Sequence, residues 1–599
     1  MKSGLIATII IQLILIAIAF GHLFSDPNEF MLQNGHDGLK NYYTLQSYVT
    51  QDAEAGYLNY KGMNYPIGDV IWYTDNTPPY AMFMRWVHLN ITDVTGLIIP
   101  LFHFFIVLNF LVFSILTYIV LYRLKINIYL AVLFAVALAW MNPMSLRIFG
   151  HFNLSLSFIW PLLVILLLGL FNKVLEGKVL NTYLLLLGVT IVVMSFIHLY
   201  YLALIVSLVF PAIVLFAIFY FKKVKAIFFL AVSSLMIGVS TTAVYLTIRL
   251  TDSFYHIRPE SAQGYNWSEW RIKMQDLCTS YFFLTFKPLG KHTDWFIERF
   301  VYLGTAFIFL LLLVLIVFSV YKPFKAAVKE RWTNGTKTHF IFIIFLASLF
   351  GFFMSQGEKI HFPFTQMSMA NIFNPLYYLG MLTDFFTHFR ALGRFAWPFC
   401  FLLSILLIYT FQFILKITIN VWLRVILVFF VSVLITVDTY DYMVFYKKET
   451  KKKNLFEAVS IPKLDYKEFQ AILPIPFFQV GNENLELTLD DRQIWSQLVF
   501  PISIRSGLPL MSAKLSRVPE DHSSLLMDVF SDGRLPSELT KLMKTNKPIL
   551  IIHRNEDEYF NSTPLLTPEK SKQLININDV NYIITHEGTK YYSWNWVKQ

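Results

Sequence analysis

Charged residues are scarce in this chain, and their scarcity excludes the class of soluble proteins. Of its 599 residues only 15% are Asp, Glu, Lys or Arg, while 56% are hydrophobic. The mean hydropathy is +0.53, which is too high for a soluble protein of this length. The composition therefore predicts a protein that places most of its length in a lipid bilayer.

Ionisable residues are also absent from the middle of the hydrophobic stretches that recur through the first 445 residues. These stretches are long enough to cross a bilayer. They predict about eleven transmembrane helices, at 4–24, 97–121, 126–142, 154–171, 180–197, 199–221, 226–248, 300–321, 339–355, 391–415 and 421–443. Ion-coupled transporters and proton relays place ionisable groups inside such spans, so their absence favours chemistry at the membrane surface.

Cysteine is the next scarcity, since the chain contains only Cys278 and Cys400. The first falls in a predicted loop and the second in a predicted helix, so we expect no disulfide between them. The tail from about residue 455 onward contains no nucleophile elbow, P-loop, dinucleotide fingerprint or metal-ligand spacing. We therefore expect the tail to have an accessory or substrate-guiding role.

The tail nevertheless has the pattern of a small folded domain. Apolar runs at 471–478, 547–554 and 580–588 predict buried strands. The stretches at 523–530 and 536–544 predict helices between them. Alternation of this kind is typical of α/β domains.

The basic residues are distributed unevenly between the loops. With the N-terminus in the cytoplasm, the cytoplasmic loops contain many Lys and Arg residues, whereas the loop at 26–95 has eight acidic and three basic residues. We therefore predict a polytopic α-helical transmembrane domain at 1–445 with this loop outside, followed by an extracytoplasmic α/β domain at 446–599. The basic run at 447–453, which we interpret as a solvated linker, argues against this placement. The net charge of +10 is explained by cytoplasmic loops and needs no nucleic-acid partner.

The loop at 26–95 contains the two acidic residues that best suit a catalytic role. Asp37 and Asp75 lie among Gly, Pro, Tyr and Trp residues, which suits a folded surface that faces a ligand. Each also has a structural reading, because Asp37 before Gly38 fits a turn and Asp75 fits a turn or a helix cap. The predicted external loops hold eight of the fourteen histidines, mixed with Arg, Lys and Tyr. This mixture suits a phosphate or diphosphate group at the bilayer surface.

Six short motifs follow one another in order along the chain. They are HDG at 36–38, RIFGHFNLS at 147–155, HLYY at 198–201, FRALGRFAWPF at 389–399, RSGLPLMSAKLSRVP at 505–519 and VNYIITHEG at 580–588. Their order resembles the GT-C fold superfamily of polyprenyl-phosphate-sugar-dependent glycosyltransferases, in particular its uncharacterised bacterial members. YPIGDVIWYTDNTPP at 65–79 is similar to Bacteroidetes-type versions of these membrane proteins.

The resemblance implies that a sugar moves from a polyprenyl-phosphate-linked donor to a glycan, lipid or protein acceptor. It implies a multi-pass protein of the bacterial cytoplasmic (inner) membrane, with catalysis and the C-terminal domain on the periplasmic side. Asp37 is then the expected general base and Asp75 the second choice. The residues expected to bind the donor phosphate or sugar are Arg147, His151, His198, Tyr200, Lys359, His361 and Arg394. Helix-end packing is an equally good reading of His198 and Tyr200.

One departure from the superfamily concerns metal binding. Many GT-C enzymes carry an Asp-x-Asp or Glu-x-Asp pair in this loop, whereas Asp37 has no acid two residues away. No cofactor follows from the sequence, and a divalent metal ion stays open, with Asp37 and His36 as its expected ligands. Two alternatives to an active transferase also stay open: a non-catalytic GT-C-like scaffold or assembly protein, and a lipid-linked oligosaccharide flippase or polymerase. A flippase would need a polar cavity within the spans, which this sequence does not indicate.

Overall fold

The computed structural model describes most of the chain. It covers residues 2–259, 270–280, 299–334, 336–362, 365, 367–383, 388–389, 391–418, 420–490, 494–531, 533–554, 566 and 568–598. The helices are α1 (Lys2–Phe20), α2 (His22–Ser25), α3 (His36–Thr50), α4 (Pro78–Asn90), α5 (Ile98–Arg123), α6 (Ile128–Met141), α7 (Ile159–Leu175), α8 (Thr182–Ile197), α9 (Tyr200–Phe219), α10 (Ala226–Thr251), α11 (Thr305–Val320), α12 (Lys322–Asn334), α13 (Thr336–Met354), α14 (Pro375–Gly380), α15 (Trp397–Ile417), α16 (Val421–Glu449), α17 (Leu455–Ala458), α18 (Ser496–Ser506), α19 (Glu520–Met527), α20 (Ser537–Leu542) and α21 (Pro568–Gln573). The strands are β1 (Phe30–Met31), β2 (Asn59–Tyr60), β3 (Asp69–Val70), β4 (Lys359–His361), β5 (Ser368–Ala370), β6 (Lys452–Lys453), β7 (Ile472–Ile475), β8 (Gln479–Val480), β9 (Ala513–Lys514), β10 (Ile549–His553), β11 (Val580–His586) and β12 (Thr589–Trp594).

The protein is a polytopic helical membrane protein, as predicted. Within the described residues, the segments long and apolar enough to cross a membrane are Lys2–Phe20, Thr95–Arg123, Phe152–Leu175, Tyr200–Phe219, Ala226–Thr251, Leu392–Ile417 and Val421–Glu449. Shorter apolar helices are Ile128–Met141, Thr182–Ile197, Thr305–Val320 and Thr338–Met354. Each of the predicted transmembrane positions overlaps one of these segments, while the number of membrane crossings stays a prediction.

The last long helix differs from the sequence prediction. Helix α16 continues to Glu449, so Asp438 lies three residues after its midpoint at Ile435. The prediction that spans contain no ionisable residue near their middle is therefore wrong for this helix. Asp438 is buried, and one of its carboxylate oxygens accepts a hydrogen bond of 2.9 Å from the backbone N–H of Ala306. The carboxylate thereby satisfies a free N–H group at the start of α11, which explains why the helix bundle tolerates it.

The loop between α1 and α5 is folded and not a solvated connector. Its helices α3 and α4 pack against each other, and Arg85 of α4 is fully buried between them. The guanidinium of Arg85 donates to the backbone carbonyls of Tyr48, Gln51, Asp52 and Gly56 at 2.7–2.9 Å. These bonds satisfy carbonyl groups at the end of α3 that no helical N–H reaches. Helix α3 is therefore held rigidly, which matters because it carries Asp37.

The tail contains the predicted strands β7, β10 and β11. Together with β12 they form one sheet in the order β11-β12-β10-β7, in which β7 and β10 are parallel and the other pairs are antiparallel. Helices α19 and α20 overlap the two predicted helical stretches. The observed elements are thus those of a small α/β unit, and its boundary at 446–599 stays a prediction.

The tail packs directly onto the first loop. Strand β6, within the basic run at 447–453, pairs with β1 of the loop, so the run is not the solvated linker that the sequence suggested. Farther along, the N–H groups of Asn64 and Tyr65 donate to the carbonyls of Ser512 and Leu510. The physical reason is that short loop strands leave backbone groups open, and the tail supplies their partners. The loop and the tail consequently lie on the same side of the helix bundle.

Candidate functional site

One face of α3 carries most of the candidate site. Asp37, Lys40, Asn41 and Thr44 follow the spacing i, i+3, i+4 and i+7, which places their side chains on a single stripe of the helix. Gly38 lies behind this stripe, where a Cβ atom would come within 2.7 Å of the Gln33 side chain. The sequence HDG therefore begins a helix that packs closely against its own loop, and Asp37 occupies its first turn instead of a turn between elements.

Lys40 joins the two predicted catalytic acids. Its ammonium nitrogen lies 2.7 Å from a carboxylate oxygen of Asp75 and 3.4 Å from one of Asp37. The Lys40 side chain is 7% exposed, whereas those of Asp75 and Asp37 are 18% and 48% exposed. Asp75 also accepts a hydrogen bond of 3.2 Å from the hydroxyl of Ser516 in the tail. We call Asp37, Lys40 and Asp75 the acidic centre.

The charges of the acidic centre keep both acids ionised. Burial raises the pKa of Asp37, but the charges of Lys40 and His151 outweigh burial and hold the pKa below its usual range. Burial acts in the same direction on Asp75, yet Lys40 holds the pKa of Asp75 well below its usual range. Both carboxylates are therefore ionised at neutral pH, and the half-exposed Asp37 is the one that a substrate can reach.

His198 faces Asp75 from the junction between α8 and α9. Its ring nitrogen Nδ1 accepts a hydrogen bond of 3.1 Å from the backbone N–H of Tyr200. The neutral ring then carries its proton on Nε2, which lies 3.9 Å from the second carboxylate oxygen of Asp75. Burial lowers the pKa of His198 to about 3, so this imidazole is neutral at physiological pH. The predicted residue is thus present at the site, as a neutral donor and not as a cation.

His151 faces Asp37 from the other side. Its Nε2 atom lies 3.5 Å from the carboxylate of Asp37, and its side chain is 30% exposed. The position of His151 is fixed through its neighbour Gly150, whose carbonyl accepts a hydrogen bond of 2.7 Å from the Asn41 side chain. Gly150 has a positive φ of 140°, which favours glycine at this bend. Each acid of the centre consequently has one imidazole beside it.

Arg394 and Tyr200 lie immediately behind His198. The guanidinium carbon of Arg394 is 4.4 Å from the centre of the Tyr200 ring, an arrangement typical of a cation–π interaction. The Tyr200 hydroxyl accepts a hydrogen bond of 2.9 Å from the backbone N–H of Ala391. Tyr200 therefore fixes the chain segment that carries Arg394, and the positive charge of Arg394 acts on His198.

The described contacts of the remaining predicted site residues are with other parts of the chain. Arg147 is buried with its guanidinium carbon 5.2 Å from the centre of the Trp397 ring, three residues beyond Arg394. Lys359 and His361 belong to the β4–β5 hairpin, and no described contact joins them to Asp37 or Asp75. Arg390, within the motif at 389–399, lies outside the described residues.

The acidic centre does not fit a divalent metal ion as it is arranged. The position between the two carboxylates, where a cation would bind both, is taken by the ammonium group of Lys40. His36 is exposed at the start of α3 with a positive φ of 52°. Within the described part of the chain, no group of three or more His, Cys, Asp or Glu side chains is arranged to hold a metal.

Sequence reasoning missed three residues that organise this site. Lys40 and Asn41 lie at i+3 and i+4 from Asp37 along a helical pattern, which is the signal that could have identified them. Ser516 lies within the motif at 505–519, but nothing in that motif indicates that its hydroxyl reaches Asp75 from a segment more than four hundred residues away.

The fold and the site define a multi-pass helical membrane protein whose acidic residues meet basic and imidazole groups at one end of the bundle. Residues 9–440 match the family described as Domain of unknown function (DUF6311), and the chain belongs to that family. A search of curated proteins found no match.

Two similar solved structures are glycosyl-transferring enzymes. The mycobacterial arabinofuranosyltransferase AftD has 12% identity and a TM-score of 0.49, with 99% of this chain and 41% of that chain covered. The oligosaccharyltransferase of Archaeoglobus fulgidus has 11% identity and a TM-score of 0.47, with 92% of this chain and 69% of that chain covered. The chain spans about two fifths of the length of the arabinofuranosyltransferase.

Proposed function

We propose that this chain is a membrane glycosyltransferase that moves a sugar from a polyprenyl-phosphate-linked donor to an acceptor on the extracytoplasmic side of the bacterial inner membrane. The observation that supports this most is the convergence of Asp37 and Asp75 on Lys40, with an imidazole beside each acid and Arg394 behind one of them. Such a group combines a proton acceptor with donors for a phosphate, which are the two things that this transfer needs.

Asp37 is the proposed general base. The acceptor oxygen attacks the anomeric carbon of the donor sugar, and its proton passes to the Asp37 carboxylate. The bond between the anomeric carbon and the phosphate oxygen breaks, and its electron pair leaves on the lipid phosphate. Asp37 suits this role because its side chain is half exposed, whereas Asp75 is largely buried and is held between Lys40 and Ser516.

Lys40 and Asp75 are proposed as positioning residues. The Lys40 ammonium group lies between the two carboxylates, offsets their mutual repulsion and fixes the Asp37 side chain on the first turn of α3. Asp75 in turn compensates the charge of Lys40, which is buried and would be costly without a partner. His198 and Arg394 are proposed to donate to the donor phosphate, since a neutral imidazole N–H and a guanidinium both bind phosphate oxygens.

The side of the membrane is part of the same proposal. The loop and the tail pack onto each other through β1 and β6, so both lie at one end of the helices. Loops at the other end contain the Lys and Arg residues that favour the cytoplasm, such as Arg123, Lys173 and Lys416. This charge distribution supports an extracytoplasmic acidic centre.

A non-catalytic GT-C-like scaffold is the second candidate function, and one observation favours it. Both acids already have a cationic partner, so the acidic centre also fits a structural ion-pair network that attaches the first loop to the tail. The two candidates differ in whether the folded wild-type protein transfers sugar, and in whether Asp37→Asn abolishes that transfer while the fold stays intact.

The experiment that tests the proposal is a transfer assay in lipid nanodiscs with a panel of radiolabelled polyprenyl-phosphate sugars. The reference is a double variant, Asp37→Asn with Asp75→Asn. We expect at least one donor to yield labelled product with the wild type and none with the double variant. If no donor gives product with a folded wild-type protein, the transferase proposal is wrong and the scaffold candidate is favoured.

A further inference from the structure

A second group of charged residues lies at the same end of the helix bundle as the acidic centre and differs from it in composition. Arg271, Lys273, Lys359 and His361 come from two chain segments that pack together, and we call them the outer basic cluster. The segment at 271–273 is joined to the end of α13 by a hydrogen bond of 3.0 Å from the Ile272 N–H to the Ser355 carbonyl. The cluster is therefore built from the β4–β5 hairpin and a segment held against its base.

The four side chains of the cluster lie close to one another. Gly357 has a positive φ of 75°, and a Cβ atom on it would come within 3.1 Å of the Arg271 side chain. The Arg271 side chain thus crosses the turn that leads into β4. Burial and the nearby charges of Arg271, Lys273 and Lys359 lower the pKa of His361.

Polar groups around this turn have no hydrogen-bond partner among the described residues. Arg271 has a buried Nε atom without a partner, and His361 has a buried Nε2 atom without one. Gln356 is fully buried, and neither the nitrogen nor the oxygen of its amide is bonded. Asn374, which donates to the Gly357 carbonyl, leaves its side-chain oxygen unbonded. Buried polar groups in native proteins are almost always satisfied, so such a concentration indicates a place where a ligand binds.

The charge of the cluster indicates the sign of that ligand. Burial and the charge of Arg299 lower the pKa of Arg271, while the neighbouring acid Glu358 acts against them. Several cations held together repel one another unless an anion lies between them. In the acidic centre the Lys40 ammonium group has two carboxylate partners. In the outer basic cluster the carboxylate of Asp276 accepts from the backbone N–H of Lys273, and within the described part of the chain no ion pair joins the ammonium groups of Lys273 or Lys359 to a carboxylate. The ligand that completes the cluster is therefore an anion.

The location of the cluster indicates where that anion comes from. The backbone N–H of Gly393 donates to the carbonyl of Trp270 at 2.8 Å, so the neighbours Arg271 and Arg394 lie in adjoining segments. The cluster thus occupies the same end of the helix bundle as the acidic centre, directly beyond the end of α13. At the surface of a bilayer the abundant anions are lipid phosphates, which Arg and Lys bind through charged hydrogen bonds.

We propose that the outer basic cluster is a second anion site, which binds a phosphate group of a membrane lipid. The site is separate from the acidic centre and does not depend on glycosyl transfer. Arg271 would bind two phosphate oxygens through its fork of N–H groups, and Lys273, Lys359 and His361 would each donate to the remaining oxygens. Two lipids supply this chemistry, a polyprenyl diphosphate and an anionic phospholipid headgroup.

The experiment measures lipid binding directly on the full chain in detergent by native mass spectrometry. Polyprenyl diphosphate, polyprenyl monophosphate and phosphatidylglycerol are titrated separately against the wild type and against Arg271→Gln with Lys359→Gln. We expect the double variant to lose about tenfold or more in affinity for at least one phosphate lipid, as the loss of charged hydrogen bonds implies. Lys541→Gln, on an exposed surface of the tail, is the matched control and should bind like the wild type.

The arms of the titration identify the lipid. A loss confined to polyprenyl diphosphate assigns the cluster to the second phosphate of that lipid, and a loss confined to phosphatidylglycerol assigns it to a phospholipid. Unchanged affinity for all three lipids overturns the proposal. Should the double variant misfold, Lys359→Gln alone gives the same test, because Lys359 is exposed and its expected loss is several-fold. Because the titration contains no sugar donor and no acceptor, its outcome is separate from any failure of the transfer assay.

Discussion

The acidic centre and the outer basic cluster lie at the same end of the helix bundle, yet they are built in opposite ways. In the acidic centre, Lys40 lies within 3.4 Å of a carboxylate oxygen of both Asp37 and Asp75. In the outer basic cluster, the described side chains of Arg271 and His361 have buried nitrogen atoms without hydrogen-bond partners. The charges of the first group are paired with one another, whereas the second group is the anion site that we propose.

This difference predicts how a substitution in each group should affect stability and ligand binding. Removal of one member of a buried ion pair leaves the other charge buried without compensation, which destabilises the fold. A cluster of like charges opposes folding, so removal of one member relieves repulsion and harms only ligand binding. Stability and binding should therefore respond in opposite ways in the two groups.

Lys40→Met should give the largest loss of stability. The substitution leaves the largely buried Asp75 without its cation, and breaking such a pair costs about 3 kcal/mol of unfolding free energy, the low end for buried pairs. The measurement is equilibrium or thermal unfolding in detergent. The matched control is Lys541→Met on the exposed surface of the tail, which should change little. Equal stability of the two variants would show that the ion pairs of the acidic centre contribute nothing.

Arg394→Ala should weaken the binding of the polyprenyl-phosphate donor by about 1.5–3 kcal/mol, the value of a charged hydrogen bond. Arg394 is only 7% exposed and lies on the Tyr200 ring. Some loss of stability is therefore expected as well. Arg394→Lys keeps the charge and should restore part of the affinity, while Arg534→Ala in the tail should have no effect. Unchanged donor affinity in Arg394→Ala would remove this residue from the phosphate site.

His198 should make stability depend on pH. Burial lowers the pKa of His198 to about 3 in the folded protein, whereas a histidine in the unfolded chain has a pKa of about 6.5. As pH falls below about 6.5 the unfolded chain binds a proton that the folded chain does not, so the stabilising contribution present above this pH is lost toward about 3. In His198→Gln, the loss of unfolding free energy between about pH 7 and about pH 5 should be smaller than in the wild type. The exposed His256→Gln is the control, and a wild-type profile in His198→Gln would contradict the assignment.

Lys359→Gln should have the smallest effect on folding. Lys359 is exposed, and the outer basic cluster gives it no described anionic partner, so the unfolding free energy should change by no more than about 0.5 kcal/mol. Because a repulsion is removed, any change should be toward greater stability. A loss as large as that of Lys40→Met would mean that Lys359 is paired, and the comparison between the two groups would fail.

The sequence predicted the helices and strands well, because their signals are local. Hydrophobic runs long enough to cross a bilayer and short apolar runs in the tail overlap the observed elements. It did not predict that the basic run at 447–453 contains a strand, because β6 exists only by pairing with β1 at the other end of the chain. Nor did it predict the extension of α16, whose buried Asp438 is tolerated through its hydrogen bond with Ala306 of another helix.

The candidate site was predicted only in part, because residue types and motifs are local signals and long-range contacts are not. Asp37, Asp75, His151 and His198 were recognised from their residue types and motifs, and the structure brings these four side chains together. Lys40 was missed because its importance arises from a contact with Asp75, thirty-five residues along the chain. Such long-range pairs follow from tertiary packing and leave no periodic signal in the sequence.

The measurement that tests the central claim most directly compares Asp37→Asn with the wild type for both sugar transfer and unfolding in the same nanodisc preparation. Loss of a general base costs about 10²–10⁴-fold in rate, and a half-exposed carboxylate contributes little to stability. We therefore expect Asp37→Asn to lose transfer by that factor at an unchanged melting temperature, while Asp52→Asn, an exposed acid of the same loop, stays active. Near-full turnover by Asp37→Asn would contradict the account. If Asp75→Asn alone were then inactive yet folded, the base would be Asp75.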